Sequence, residues 1–155
     1  MTDPNDILEA DLVEILRAVI ARLIPDDELG PGGLAAGADR YILTSLAGSL
    51  SGCLPGYVAG LRALDALART EFGAAFVSLS ASVQDEALRS LEGDAPRVSG
   101  GEGERFFELV REHAVEGFLG YPRHGGNRNE AGWSLIRYSP LGRTFAAAEQ
   151  GLEHD

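Results

Sequence analysis

The chain has 155 residues, a mass of 16.4 kDa and a formal charge of −11, from 24 acidic against 13 basic residues. That size suits one compact domain, and the charge argues against nucleic acid or an anionic membrane surface as a partner. All 13 basic residues are arginine, which excludes a P-loop lysine, Schiff-base chemistry and a lysine general base.

In chain order, the segment Met1 to Asp6 is acidic and lacks both the basic start and the apolar run of an export signal, so the chain as written is expected to be cytoplasmic. From Ile7 to Ile24, Leu8, Leu12, Ile15, Leu16, Val19 and Leu23 recur at helical spacing, and Pro25 ends the helix. Asp26 to Gly37 reads as a loop, followed by a second helix carrying Tyr41, Ile42 and Leu46. The uncharged stretch Tyr41 to Leu61 is broken by glycines, serines and Pro55, so no direct membrane insertion is expected. A third helix is predicted from about Tyr57 to Thr70, and a fourth, capped by Ser80 or Ser82, carries Val83, Ala87, Leu88 and Leu91 up to Gly93. Residues 93–103 are rich in glycine and form the expected flexible break. A fifth helix, Glu104 to Leu119, places Phe106, Phe107, Val110, Ala114 and Phe118 on one stripe. Gly120 to Ser139 reads as irregular, and a short helix is expected near Phe145 to Gln150. No strand-like alternation is sustained, so the expectation is an all-α fold: a single multi-helix domain over 1–155 with a long irregular C-terminal segment.

Catalytic constellations are sparse. Cys53 is the only cysteine, cannot form an internal disulfide, and reads as a packing residue among small neighbours. His113 and Glu116 lie one helical turn apart, but no zinc-binding pattern accompanies them, and a packed or hydrogen-bonded histidine is the expected reading. Gly48-Ser49-Leu50-Ser51-Gly52 places its serines beside the central position of a nucleophile elbow, and Gly100-Gly101-Glu102-Gly103 follows no strand. No catalytic, metal or cofactor-binding residue is therefore expected in this chain.

The segment 120–139 stands apart. It holds Arg123, Arg128 and Arg137 against the single acid Glu130, together with four glycines, two tyrosines and the only tryptophan, Trp133. Arginine with large aromatics is the composition of interface hot spots. Two roles are open: a loop that folds back to cap the helices, with Trp133 filling a gap, or a surface for a protein partner.

Phe106-Phe107-Glu108-Leu109-Val110-Arg111-Glu112-His113, then Glu116-Gly117-Phe118, Gly125-Gly126-Asn127 and Gly132-Trp133, in that order and spacing, resemble the gluconate 2-dehydrogenase subunit 3 family. Weaker agreement runs through Leu23-Ile24-Pro25, Gly60-Leu61 with Leu64-Asp65, and Phe76, Leu79 and Ser80 leading into Gln84. The chain departs from the family pattern in lacking a twin-arginine signal and in carrying His124 where an aromatic usually precedes Gly-Gly-Asn. The resemblance implies a cofactor-free small subunit that supports the folding, stability or export of a large FAD-binding oxidoreductase of the glucose-methanol-choline class acting on sugars or polyols. A cytochrome c subunit is a further implied partner, and periplasmic residence would follow from a signal borne by the large subunit.

Composition and resemblance converge on a chaperone-like accessory protein. The expected partner interface comprises Phe106, Phe107, His113, Phe118, Tyr121, Arg123, His124, Gly125, Gly126, Asn127, Arg128 and Trp133. Phe106, Phe107 and Phe118 would anchor the loop from below, and Tyr121, Arg123, His124, Asn127 and Trp133 would touch the partner. In the alternative, Asn127 and the glycines only set the loop's shape. Competing readings are a helical adaptor or homo-oligomer unconnected with redox, and a small acid/base enzyme using His113 or His124.

Overall fold

The computed structural model describes residues 3–93, 102–120 and 122–136, with backbone alone at 102–104 and 124. Most of the expected break at 93–103, Tyr121 and the expected helix at 145–150 lie outside these residues. Among the described residues every regular element is helical and no strand forms. Six α-helices follow in order: α1 Ala10–Leu23, α2 Ala38–Leu46, α3 Leu54–Phe72, α4 Ala81–Gly93, α5 Glu102–Leu119 and α6 Ala131–Ile136.

Local chemistry sets the boundaries. A 3-10 turn, Pro4–Asp6, precedes α1 because the Asp3 carboxylate accepts the Asn5 N–H, so the helix starts three residues later than its apolar spacing suggests. Pro55 fits the first turn of α3, where its missing N–H has no helical acceptor to lose, and α3 therefore reaches back to Leu54. Ser80, rather than Ser82, holds the position before α4, and its carbonyl accepts the Gln84 N–H (2.8 Å). The sixth helix lies inside the segment expected to be irregular. At six residues it is too short to show a period, and a hydrogen bond from outside the helix nucleates it, as described below.

α5 packs against α2, α3 and α4, and α1 closes the bundle against the same three helices. Leu16, Ile20, Leu43, Leu46, Leu61 and Leu64 are fully buried where these helices meet. Each such side chain contributes roughly 1.5–3 kcal/mol relative to exposure. No single described helix is long and apolar enough to cross a membrane, and α2 with the segment Ser51–Phe72 is bent by 94°.

Three polar devices fix the packing. The Asp65 carboxylate accepts the Phe76 N–H (2.9 Å) and the Arg69 Nε (2.9 Å), while the Gln84 amide donates to the Phe76 carbonyl (3.0 Å). Phe76 is thus held between α3 and α4 by its backbone and buried by its ring. Arg22 on α1 grips Asp85 on α4 with two bonds of 2.8 and 3.0 Å, and Arg17 on α1 reaches the buried Asp39 on α2 (3.1 Å).

At the crossing of α3 and α5 the ring of Phe106 occupies the space that a β-carbon on Gly60 would fill, and it meets Tyr57 edge-on with ring centres 6.0 Å apart. Phe106 therefore belongs to the helix–helix core and not to the base of the C-terminal loop, which corrects its expected place. Phe107 is half-buried, with the Arg111 guanidinium 5.8 Å from its ring centre.

Two outcomes follow. Gly60→Ala forces the Phe106 ring aside and costs about 2 kcal/mol in urea denaturation. The shorter Phe106→Leu recovers part of that loss in the double variant. The hydrogen bonds from Arg22 hold the Asp85 carboxyl below its ordinary value. Burial alone would raise Asp65, but the Phe76 amide and Arg69 outweigh it and hold that carboxyl low as well. Both groups contribute stability above the unfolded aspartate value of about 3.9 and lose it as pH falls through their folded values. The melting temperature should accordingly drop on acidification below about pH 4, and Asp85→Asn should flatten that drop.

Candidate functional site

The last turn of an α-helix leaves carbonyls without helical donors. At and just beyond the end of α5 three carbonyls are satisfied from the following loop and α6. The Asn127 N–H donates to the Gly117 carbonyl (2.6 Å), the Trp133 Nε1–H to the Leu119 carbonyl (2.6 Å), and the Asn127 Nδ2 to the Gly120 carbonyl (2.8 Å). The other half of the same amide serves α6: Asn127 Oδ1 accepts the Gly132 N–H at 2.8 Å and the Trp133 N–H at 3.4 Å. One side chain, with no exposed surface, thus closes one helix and opens the next.

The residue type follows from this geometry. Asparagine carries a donor and an acceptor on one short planar group, whereas aspartate offers no donor. Asn127 also sits in the left-handed region (φ 47, ψ 41), which asparagine tolerates better than other side chains with a β-carbon. A β-carbon at Gly126 would overlap the Gly117 carbonyl, and one at Gly132 the Phe118 carbonyl. The loop therefore lies on α5 backbone against backbone, with the Trp133 ring buried. A further bond, from the Arg128 N–H to the Ala36 carbonyl (2.7 Å), ties the loop to the turn before α2.

This arrangement sorts the expected interface residues. Asn127 and Trp133 are buried and Gly126 leaves no room for a β-carbon, so all three set the loop's shape: for Asn127 and Gly126 this is the role left open as the alternative to direct contact, whereas Trp133, expected there as a contact residue, fills a gap as in the capping-loop reading. Phe118 and Phe106 are both buried, Phe118 near the loop and Phe106 at the crossing of α3 and α5. Arg123, Gly125 and Arg128 are exposed, and Arg123 and Gly125 border a shallow groove with Tyr41, Thr44, Ser45 and Ser49. Tyr121 and the His124 side chain lie outside the described atoms.

His113 faces the core. Its ring stacks on Tyr57 (5.8 Å between centres, 5° between planes), and its Nδ1 shares a 2.7 Å hydrogen bond with the Tyr57 hydroxyl. Burial pushes the Tyr57 hydroxyl far above its ordinary value, so it stays protonated at any physiological pH. Glu116 accepts instead from the Tyr41 hydroxyl (3.2 Å), whose value burial and then Glu116 raise. The two candidate ligands of α5 thus serve different partners, and among the described residues no three His, Cys, Asp or Glu side chains come together to hold a metal. Cys53 is partly buried against the core at the start of α3.

Sequence reasoning missed Tyr57 as the partner of His113 and the clamp of Asp65 and Gln84 on Phe76. All three residues were visible as polar or amphipathic positions on apolar helix faces, but their partners lie 56, 11 and 8 residues away, beyond the reach of periodicity.

Fold and loop together define a small helical domain whose most unusual segment is built rigidly into the end of its central helix. The family model of gluconate 2-dehydrogenase subunit 3 matches residues 10–140, and the chain belongs to that family. No curated protein and no solved structure matches the chain. The family is named for one subunit of a dehydrogenase, which implies partner subunits.

Replacing Asn127 separates backbone from side-chain effects. Asn127→Ala loses the amide bonds and keeps a β-carbon in the left-handed region, and should cost about 3 kcal/mol in chemical denaturation. Asn127→Gly loses the same bonds but relieves the backbone, and should be less destabilising by about 1 kcal/mol.

Proposed function

We propose that this chain is a non-catalytic accessory subunit that binds and stabilises a large FAD-dependent oxidoreductase of the glucose-methanol-choline class acting on sugars or polyols, and assists its maturation or export. The observation that carries this reading is the use made of the loop: its buried polar side chain, Asn127, and Trp133 hold its shape, and its surface carries the exposed Arg128. A reaction centre needs polar groups converging on an accessible space. Here His113 is 5% exposed and already bonded to Tyr57, which disfavours the acid/base reading for it.

Family membership supports the subunit role, and in this reading FAD resides in the partner. A cytochrome c subunit would receive electrons from the flavoprotein in the same assembly.

Co-expression with a glucose-methanol-choline oxidoreductase from the same genome tests the reading. A tag on this chain should retain a yellow large subunit with the absorbance of bound FAD, and omitting this chain should lower the yield of soluble flavoprotein. Turnover of a sugar by the purified chain alone, or no flavoprotein on the tag, would overturn it.

A further inference from the structure

Two loops meet on one face of the molecule. The turn between α1 and α2 folds back on α1, the Gly33 N–H donating to the Ile24 carbonyl (2.8 Å). At its tip Asp27 and Gly30 exchange both backbone hydrogen bonds at 3.1 Å, and the Asp27 carboxylate accepts the Leu29 N–H (2.8 Å). This turn holds Leu29 out in solvent, 80% exposed, beside the exposed acids Asp26, Asp27 and Glu28. Across from it α6 displays Leu135 and Ile136, 36% and 54% exposed. Leu29, Pro31, Ala35, Arg128, Ala131 and Leu135 border a groove of about 380 Å³ between them. The bond from Arg128 to Ala36 ties the two banks together.

A hydrogen-bonded turn that keeps a leucine in water, next to a second apolar edge, has the make-up of a contact surface. We propose that this face is where the catalytic flavoprotein docks, with Leu29 and Leu135 entering an apolar depression whose rim carries arginine or lysine. The proposal rests on the accessory-subunit reading and adds the location and chemistry of the contact. Charge complementarity selects the occupant. Three exposed acids against Arg128, in a chain of net charge −11, call for a cationic rim opposite. A second copy would present the same excess of acids over arginine on this face, so two copies meeting here would carry like net charge. Residues 137–155 carry two arginines against three acids and are a poorer match.

Binding of the full-length chain to the purified flavoprotein, measured by interferometry, tests this. Leu29→Asp should raise Kd by roughly thirtyfold or more. Glu28→Arg should also raise Kd, most strongly at low salt. Val77→Asp, at another exposed apolar residue, should leave Kd unchanged. If the wild-type chain binds and both Leu29→Asp and Glu28→Arg bind equally well, the docking face is wrong while the accessory role stands. If the wild type fails to bind, both are lost. Dissolution of a homodimer by Leu29→Asp without a change in Kd gives the face to a second copy. A melting temperature of the free chain lowered alike by Leu29→Asp and by deletion of residues 137–155 gives it to the chain's own C-terminal segment. Either of these last two results overturns the proposal.

Discussion

The amide of Asn127 is the interaction on which the C-terminal third depends. It donates to the end of α5 and accepts from the start of α6, so two helix termini that would each leave polar groups unpaired satisfy one another through a single side chain. Without it the part-buried Gly120 carbonyl and the buried Gly132 amide would lose these partners, and buried groups are costly to leave unpaired. Gly126 and Gly132 make the approach possible because their backbones lie where β-carbons would strike the carbonyls of α5. Donor, acceptor and clearance thus come from different residues but serve one contact.

The same logic of close approach recurs deeper in the bundle. Gly60 admits Phe106, Phe106 abuts Tyr57, and Tyr57 both stacks on and hydrogen-bonds His113. This chain of contacts runs from α3 into α5, whose far end carries the Asn127 junction. α5 is therefore fixed at both ends, by aromatic packing near its start and by backbone hydrogen bonds at its close. The arginine pairs of α1 with α2 and α4 add orientation at the periphery, where partial exposure keeps each ion pair modest.

The helices were legible where apolar residues recur every three or four positions over several turns, as along α1 and α5, and the all-α character followed from them. Their starts were less so. Pro55 belongs inside α3, and the Asp3 turn displaces the start of α1, because capping is decided by one or two hydrogen bonds rather than by a pattern. α6 was hidden, since its nucleating acceptor, Asn127 Oδ1, lies outside it. At the loop, the unusual composition of 120–139 was visible, but composition alone does not say which side of a loop an aromatic faces. Trp133 turned inward because its indole N–H found the Leu119 carbonyl. Leu29 went unnoticed in a stretch read only as glycine-rich loop, since a single leucine has no periodicity to announce it.

The backbone-on-backbone seat of the loop has a thermodynamic consequence for association. Segments that order only upon encounter surrender conformational freedom at that moment and bind more weakly for it. Here the tie from Arg128 to Ala36 and the Asn127 junction restrict both banks of the groove as the bundle folds, before any companion arrives. Little disorder is left to be frozen out during assembly, so even a modest area of apolar contact can translate into a long-lived complex.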